Sequence, residues 1–176
     1  MKLYIINLNE CDPRRCTARK LKKFNLAKFL GRRKWIAKGA ILLNPFSDRV
    51  LSKEDREIIE NRGITALDGS WKKIEEKDFL IYSRLFIFRA LPYLVAGNPT
   101  HYGIPTMLST AEALAFGLFI TGFKEDAFRI LKIFSWGLKS FELNRELLEM
   151  YYNANSAKEI IYLQNKILGK HNKDYI

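Results

Sequence analysis

The amino-acid sequence predicts an α/β first half followed by an all-helical second half. Two short apolar runs, residues 3–7 and 38–44, are typical of buried strands. After residues 97–105, a segment with two glycines and two prolines, every apolar pattern has helical spacing. We therefore expect a domain boundary in that segment, with domains over residues 1–97 and 98–176.

The other elements follow from local signals along the chain. Ser52 and Asp55 form a capping-box pattern that opens a helix, and Gly63 ends it. A further short helix is expected after Ser70. Strands are also predicted over residues 64–67, 84–88 and 93–96, and helices over residues 109–120, 124–134, 141–152 and 157–168.

The composition is that of a globular protein, with 48% hydrophobic and 28% charged residues in a chain of 176. No apolar run reaches the roughly 18 residues of a membrane span. The first residues carry acidic and polar side chains too early for a secretory signal. Two cysteines are too few for a disulfide framework. We therefore expect a cytoplasmic protein without a membrane partner.

The net charge of +11 is concentrated at one end of the chain, because residues 1–40 hold twelve lysines and arginines against two acidic residues. An apolar residue recurs there at every third position, which predicts a helix with one apolar and one basic side. Such a basic face can neutralise phosphates, so nucleic acid is the predicted partner. A solubilising surface and an anionic membrane surface are the alternatives. The apolar positions are Leu21, Phe24, Ala27 and Leu30, and the basic residues are Arg14, Arg15, Arg19, Lys20, Lys22, Lys23, Lys28, Arg32, Arg33, Lys34 and Lys38.

The sequence lacks the motifs of several common chemistries. It contains no GxGxxG, P-loop, GxSxG or CxxC motif. His101 and His171 lie far apart in the chain, and no second pair of ligands accompanies Cys11 and Cys16. We therefore expect no metal, and we interpret the two cysteines as buried, unreactive thiols.

Three loops are predicted to converge where the strands end, which is the usual ligand-binding edge of an open α/β sheet. They comprise residues 43–45, 67–71 and 91–110, and each combines apolar side chains with exposed backbone groups, as a purine site requires. Thr17, near a predicted helix start, is suited to hold a carboxylate or a phosphate. Helix capping explains Thr17 equally well.

Six longer motifs occur in a fixed order: CDPRRCTARKL (11–21), LLNP (42–45), ALDGSW (66–71), RALPYLVAGNPTHYG (89–103), LSTAEALA (108–115) and FSWG (134–137). Together they resemble the aminocarboxypropyltransferases of ribosome biogenesis, which modify a pseudouridine in small-subunit ribosomal RNA. The similarity extends over nearly the whole chain. The family usually has Cys in place of Gly69, Ala in place of Gly97 and Asn in place of His101.

The resemblance implies a SPOUT-like knotted fold with a mixed sheet in the first half. Residues 1–97 would bind RNA and cofactor, and residues 98–176 would complete the cofactor pocket. The reaction would transfer the 3-amino-3-carboxypropyl group of S-adenosylmethionine to N3 of a pseudouridine, or of its N1-methyl derivative, in the pre-ribosomal small subunit. SPOUT methyltransferases are typically dimers, but the helical half is expected to cover that surface, so we expect a monomer. The residues expected to bind the RNA are Arg14, Arg15, Arg19, Lys20, Lys22 and Lys23.

The resemblance also implies a position for each part of the cofactor. Adenine would lie against Leu43, Pro45, Trp71, Leu108 and Ala113, and it would form hydrogen bonds with the backbone of Leu91 and Thr106. The Leu67 carbonyl would bind the ribose hydroxyls. Thr17 and the backbone amide of Thr110 would hold the carboxylate.

Asp68 is the candidate for a base that accepts the imide proton, because it ends a predicted strand inside the pocket. Capping of the next helix, beside Ser70, is the alternative role. Two other functions stay open: an RNA methyltransferase of the same fold, and a non-enzymatic RNA-binding assembly factor. An assembly factor would tolerate the loss of Thr17 and Asp68, and both are present.

Overall fold

The computed structural model describes residues 1–10, 12–31 and 34–171. Cys11 of the cysteine pair, with Arg32 and Arg33 of the basic segment, lies outside the described residues, and so does the side chain of His171.

A five-stranded sheet forms the centre of the fold, with the strand order β2-β1-β4-β3-β5. Every pairing in it is parallel, so the predicted mixed sheet is wrong. The strands run in one direction because the chain returns across a face of the sheet between successive strands, rather than through hairpins. Within the described part of the chain, the strand pairings do not by themselves show the predicted knot. The strands are β1 (Leu3–Asn7), β2 (Lys28–Phe29), β3 (Ile41–Leu43), β4 (Ile64–Asp68) and β5 (Ile87–Arg89).

Eight α-helices and two short 3₁₀ helices are found among the described residues, and five of the α-helices follow the last strand. The 3₁₀ helices span Lys34–Ala37 and Lys53–Asp55, and Ser52 caps the second of them with the predicted capping box. The α-helices are α1 (Thr17–Lys23), α2 (Arg56–Arg62), α3 (Lys77–Leu80), α4 (Thr110–Ile120), α5 (Lys124–Leu131), α6 (Gly137–Leu143), α7 (Arg145–Asn153) and α8 (Ala157–His171).

The basic segment differs from its prediction, because the helix ends at Lys23 rather than continuing to Leu30. Asn25 has a φ of 56°, a left-handed conformation that commonly ends a helix. The chain then forms β2, the edge strand of the sheet. Phe24 is exposed, whereas the periodic pattern placed it on the apolar side of one continuous helix.

Two predicted elements in the later part of the chain also differ. The strand expected over residues 93–96 is reduced to a single bridge between Val95 and Pro105. The helix expected over residues 141–152 is divided into α6 and α7 at Asn144. The side chain of Asn144 bonds the backbone of Val95 through both its oxygen and its nitrogen, so the break fixes that loop.

The sheet is covered on both faces. One face carries Ile5, Ile41 and Ile64, which join a large apolar cluster with residues of α4, α5 and α7. Residues 114–120 of α4 are all buried, and a Cβ at Gly117 would lie 3.1 Å from Ile64 Cδ1. Glycine therefore allows α4 to lie directly against the sheet. The other face is covered by the 3₁₀ helix of residues 34–37 and by α3.

The strand register determines where the loops meet. Asn7 is paired with Asp68, and Leu43 is paired with Arg89, so the carboxyl ends of four strands lie along one edge. Loops that leave parallel strands at this edge form the usual ligand-binding crevice of an open α/β sheet.

Candidate functional site

A cavity of about 1430 Å³ opens at the carboxyl edge of the sheet. Its walls come from the segments after β1, β3, β4 and β5, from α1, from the start of α4 and from residues 134–136. Ligand sites for small molecules commonly measure about 300–1,000 Å³. The cavity is therefore large enough for a nucleoside-sized ligand with room for a second reactant.

All of the residues that the family resemblance implied for the cofactor line this one cavity, although they come from five separate parts of the chain. The apolar members alternate with backbone and hydroxyl groups, which is the mixture that a purine nucleoside with a polar tail requires. The set comprises Thr17, Leu43, Pro45, Leu67, Trp71, Leu91, Thr106, Leu108, Thr110 and Ala113.

Asp68 ends β4 in the cavity and is almost completely buried. Its Oδ1 accepts a hydrogen bond of 2.7 Å from the Thr110 hydroxyl, and its Oδ2 accepts one of 3.3 Å from the Cys16 thiol. Burial, together with the neighbouring Asp68 carboxylate, raises the pKa of the Cys16 thiol. Cys16 is therefore a protonated donor that orients the carboxylate, which agrees with its prediction as a buried, unreactive thiol.

Helices α1 and α4 meet beside this carboxylate. The Thr17 hydroxyl, in the first turn of α1, accepts a hydrogen bond of 3.3 Å from the backbone N–H of Ala111 in α4. The next residue toward the N-terminus is Thr110, which bonds Asp68. The two threonines predicted to hold one carboxylate are thus brought together from positions 93 residues apart in the sequence.

The wall formed by Trp71 is held by hydrogen bonds rather than by packing alone. Its indole Nε1 donates a bond of 2.9 Å to the Leu108 carbonyl, which joins the loop after β4 to the loop before α4. The N–H of Ser70 donates a bond of 3.0 Å to the Glu10 carboxylate. The first contact fixes the orientation of the indole, and the second holds the backbone of the residue before it.

Thr106 has a φ of 62°, in the left-handed region that a β-branched residue rarely adopts. Its N–H donates to the Leu94 carbonyl at 2.8 Å, and its carbonyl accepts from the Leu108 N–H at 2.9 Å. The N–H is therefore engaged within the protein, whereas the carbonyl retains a second lone pair for a ligand.

Glu112 is a buried residue of this region that the sequence did not identify as important. Its carboxylate accepts two bonds on Oε1, from the Gly97 N–H at 2.7 Å and the Ser140 hydroxyl at 2.5 Å. Oε2 accepts three bonds of 2.8 Å, from the Asn98 side chain and from the N–H and hydroxyl of Ser109. The carboxylate thus ties the loop of residues 97–105 and α6 to the start of α4. The Ser-x-x-Glu spacing of Ser109 and Glu112 is a capping-box signal for part of this network.

The rim of the cavity is basic. Five of the six side chains predicted to bind RNA line it: Arg14, Arg15, Arg19, Lys20 and Lys23. Lys22 lies outside the lining, with its Nζ 4.9 Å from the centre of the Phe29 ring. These exposed cations surround an opening whose lining, as far as the structure describes it, contains only three acidic residues, so the charge around the opening is mainly positive.

Within the described ranges, no group of three or more histidine, cysteine or acidic side chains is arranged to hold a metal ion. A family model described as a possible Fer4-like domain in RNase L inhibitor matches residues 1–34. Iron–sulfur clusters of that kind need four cysteine ligands, and the whole chain has two cysteines. The residues of this segment therefore do not fit such a cluster.

A family model described as "Ribosome biogenesis protein, C-terminal" matches residues 41–168. A protein of Methanothermobacter thermautotrophicus, named 16S rRNA aminocarboxypropyltransferase, is 44% identical over 169 residues, which are 96% of this chain and 99% of the relative. A protein of the same name from Methanocaldococcus jannaschii is 43% identical over 172 residues, with 96% and 97% of the two chains covered.

A solved structure shares the fold. The SAM-dependent rRNA:acp-transferase Tsr3 from Vulcanisaeta distributa superposes with a TM-score of 0.83 and 38% sequence identity, over 96% of this chain and 89% of that one.

Proposed function

The chain belongs to the 16S rRNA aminocarboxypropyltransferases of ribosome biogenesis, and from this premise we propose how its cavity carries out the transfer. The enzyme transfers the 3-amino-3-carboxypropyl group of S-adenosylmethionine to ribosomal RNA. We infer that the acceptor atom is N3 of a pseudouridine, or of its N1-methyl derivative, in the small subunit. The observation that supports transfer from this donor to RNA is the convergence of ten cofactor-binding candidates in one cavity with a basic rim.

The donor substrate would lie with its adenine between Trp71 and the apolar residues that follow β3 and precede α4. The Thr17 hydroxyl and the N–H of Thr110 would hold its carboxylate, because α1 and α4 meet there. Anchoring at both ends would extend the aminocarboxypropyl chain toward the basic rim. This orientation would determine which carbon on the sulfonium is attacked.

The reaction is a substitution at the carbon that joins the aminocarboxypropyl chain to the sulfonium. The electron pair of N3 forms the new carbon–nitrogen bond, the carbon–sulfur bond breaks with its pair passing to sulfur, and neutral methylthioadenosine leaves. The imide proton of N3 has to be accepted by a base. Asp68 is our candidate, since its carboxylate lies in the cavity and is oriented by Thr110 and Cys16.

The rRNA would bind across the rim through its phosphates. Arg14, Arg15 and Arg19 are exposed at the opening, so their guanidinium groups are accessible to the backbone of a folded RNA. Contacts of this kind position the substrate, whereas the cavity selects the base that reacts.

Isotope labelling of the donor tests the reaction directly. Unmodified small subunits are incubated with the enzyme and with S-adenosylmethionine labelled either at the carboxyl carbon or at the methyl group. Carboxyl label is expected in the RNA, and methyl label is expected in methylthioadenosine. Methyl label in the RNA would replace this assignment with an RNA methyltransferase.

The same assay tests the carboxylate anchor. Thr17→Ala is expected to lower the turnover rate more than the affinity for S-adenosylmethionine, because the loosened chain spends less time in the attack geometry. Thr100→Ala is a matched control, since Thr100 lines the same cavity but lies outside the proposed anchor. Equal losses in the two variants would exclude a special role for Thr17.

We further propose that the enzyme acts in the cytoplasm as a monomer, where it meets assembling small subunits. In the described part of the chain, no helix is long and apolar enough to cross a membrane. Sedimentation equilibrium with and without S-adenosylmethionine tests the monomer, and a dimer mass in either condition would contradict it.

A further inference from the structure

We propose that Trp136 and Phe24 form a stacking subsite for the acceptor nucleobase at the basic end of the cavity. Both side chains line the cavity, and both lie outside the set implied for the donor. This inference rests on the proposed function, because it names where the second reactant of that reaction binds.

The size of the cavity leaves room for this reactant. Its volume of about 1430 Å³ exceeds the range that one drug-sized ligand normally occupies. One group of lining residues beyond the donor set is aromatic and basic, and it comprises Phe24, Phe134, Trp136, Lys20 and Lys23. Aromatic faces among cations are the combination that single-stranded nucleic acid binds, since every base has a π-face and every nucleotide a negative charge.

Helix α1 relates this end of the cavity to the reacting carbon. Lys20 and Phe24 follow Thr17 by three and seven residues, so they share a helix face with it and lie about 4.5 Å and 10 Å further along the axis. If Thr17 holds the donor carboxylate, the reacting carbon lies three carbon–carbon bonds away, next to the sulfonium, so the acceptor base has to reach a point near α1. The cavity side chains available there for contact with the base include those of α1 and the residues opposite Lys20.

The residues opposite Lys20 are the aromatic ones. The Lys20 Nζ lies 4.8 Å from the centre of the Phe134 ring, and the Phe134 and Trp136 rings are 4.9 Å apart with an interplanar angle of 35°. Phe134 is buried, whereas Trp136 is half-buried, so Trp136 presents the accessible ring of this pair.

The backbone holds Trp136 in place. A Cβ at the next residue, Gly137, would lie 2.1 Å from the carbonyl oxygen of Leu131, so only glycine allows this close approach of α6 to the end of α5. The Trp136 carbonyl also accepts a hydrogen bond of 2.9 Å from the N–H of Ser140, whose hydroxyl bonds Glu112. A rigid aromatic ring costs little ordering entropy when a base stacks on it.

Phe24 supports the same interpretation from the end of α1. It is the residue after the last helical position, Lys23, and 52% of its surface is exposed although it is a large apolar residue in a basic segment. A base that leaves its helical stack loses stacking energy, and aromatic side chains recover that loss inside the enzyme.

The test measures steady-state transfer to unmodified small subunits by Trp136→Phe, Trp136→Leu and Phe24→Ala. The matched control is Tyr162→Ala, which removes an exposed aromatic ring from α8, outside the cavity lining. Trp136→Leu and Phe24→Ala are expected to raise the KM for small subunits about tenfold or more, with the affinity for S-adenosylmethionine unchanged. Trp136→Phe keeps a π-face and is expected to retain most of the wild-type KM.

Two outcomes overturn the subsite while leaving the proposed function intact. One is a wild-type KM for small subunits in both Trp136→Leu and Phe24→Ala. The other is a loss in these variants that falls on S-adenosylmethionine binding instead of on RNA. If Trp136→Leu fails to fold, the KM of the Phe24→Ala variant decides the question alone, because Phe24 is exposed. A wild-type enzyme that transfers no carboxyl label would instead contradict the proposed function itself.

Discussion

Replacing Glu112 by glutamine tests whether one buried carboxylate holds the walls of the cavity together. The substitution preserves the shape of the side chain and replaces one acceptor oxygen by an NH₂ donor. Glu112 has no exposed surface, so water cannot compensate for any bond that is lost. The change in stability on this substitution therefore measures the contribution of the hydrogen bonds that Glu112 accepts.

The loss of unfolding free energy depends on which of the two carboxylate oxygen positions the new NH₂ group occupies. With NH₂ at the Oε1 position, the Ser140 hydroxyl can rotate and accept, but the Gly97 N–H loses its acceptor. With NH₂ at Oε2, the Ser109 N–H and the Asn98 NH₂ both face a donor, which is worse. One orphaned buried N–H costs about 1–3 kcal/mol, and the remaining bonds lose their charge assistance. We expect a total loss of about 2–4 kcal/mol of unfolding free energy.

Urea denaturation and thermal melting measure this loss. For a chain of this size, each 1 kcal/mol lowers the Tm by about 2–4 °C, so Glu112→Gln should melt roughly 5–15 °C below the wild type. Glu146→Gln is the matched control, since Glu146 is exposed on α7. A Glu112→Gln variant whose stability lies within about 0.5 kcal/mol of the control would refute the reasoning.

Three further predictions concern the rim, the adenine wall and the buried thiol. Reversing Arg15, Arg19 and Lys23 to Glu should weaken rRNA binding and lower its salt slope by about one for each phosphate that is no longer neutralised, with donor affinity unchanged; an unaltered slope would show that these charges do not meet phosphates. Trp71→Ala should weaken S-adenosylmethionine binding about tenfold or more in calorimetry, because it deletes one wall of the adenine site and the bond to the Leu108 carbonyl; an unchanged Kd would contradict that wall. The raised pKa of Cys16 keeps its thiol protonated in the folded protein. The protonated thiol therefore stabilises the fold at every pH below the ordinary thiol pKa, and this stabilisation is lost as the pH rises through the raised pKa. In a variant whose other cysteine is serine, iodoacetamide at about pH 8 should therefore modify the folded chain much more slowly than the urea-unfolded chain, and equal rates would exclude the buried hydrogen bond to Asp68.

Local patterns in the sequence were sufficient where a feature depends on neighbouring residues. β1 is found over the predicted residues 3–7, and Ser52 with Asp55 forms the predicted capping box, because periodicity and capping chemistry act over a few positions. The concentration of positive charge before residue 40 likewise identified the segment that supplies the basic rim.

The direction of the strands could not be predicted in this way. A continuous apolar run of three to five residues indicates a strand that is buried on both faces. Such strands occur in parallel sheets and also in antiparallel or mixed sheets whose two faces are covered, so the run does not determine the strand direction. The basic helix was predicted too long for a related reason: the period of three continues past Phe24, but the left-handed backbone at Asn25 ends the helix and a strand begins at Lys28. Tertiary pairing with β1 overrode the local pattern.

The sequence by itself determined that this is a globular α/β protein, which residues are available for the cavity, and the sign of the charge around its opening. These properties depend on composition and on short-range spacing. Only the tertiary structure decided which of these groups meet. Cys16 and Thr110 reach Asp68 across 52 and 42 residues, and Glu112 gathers donors from three separate segments. Such contacts are set by strand register and helix packing, which bring together residues whose separation in the sequence carries no periodic signal.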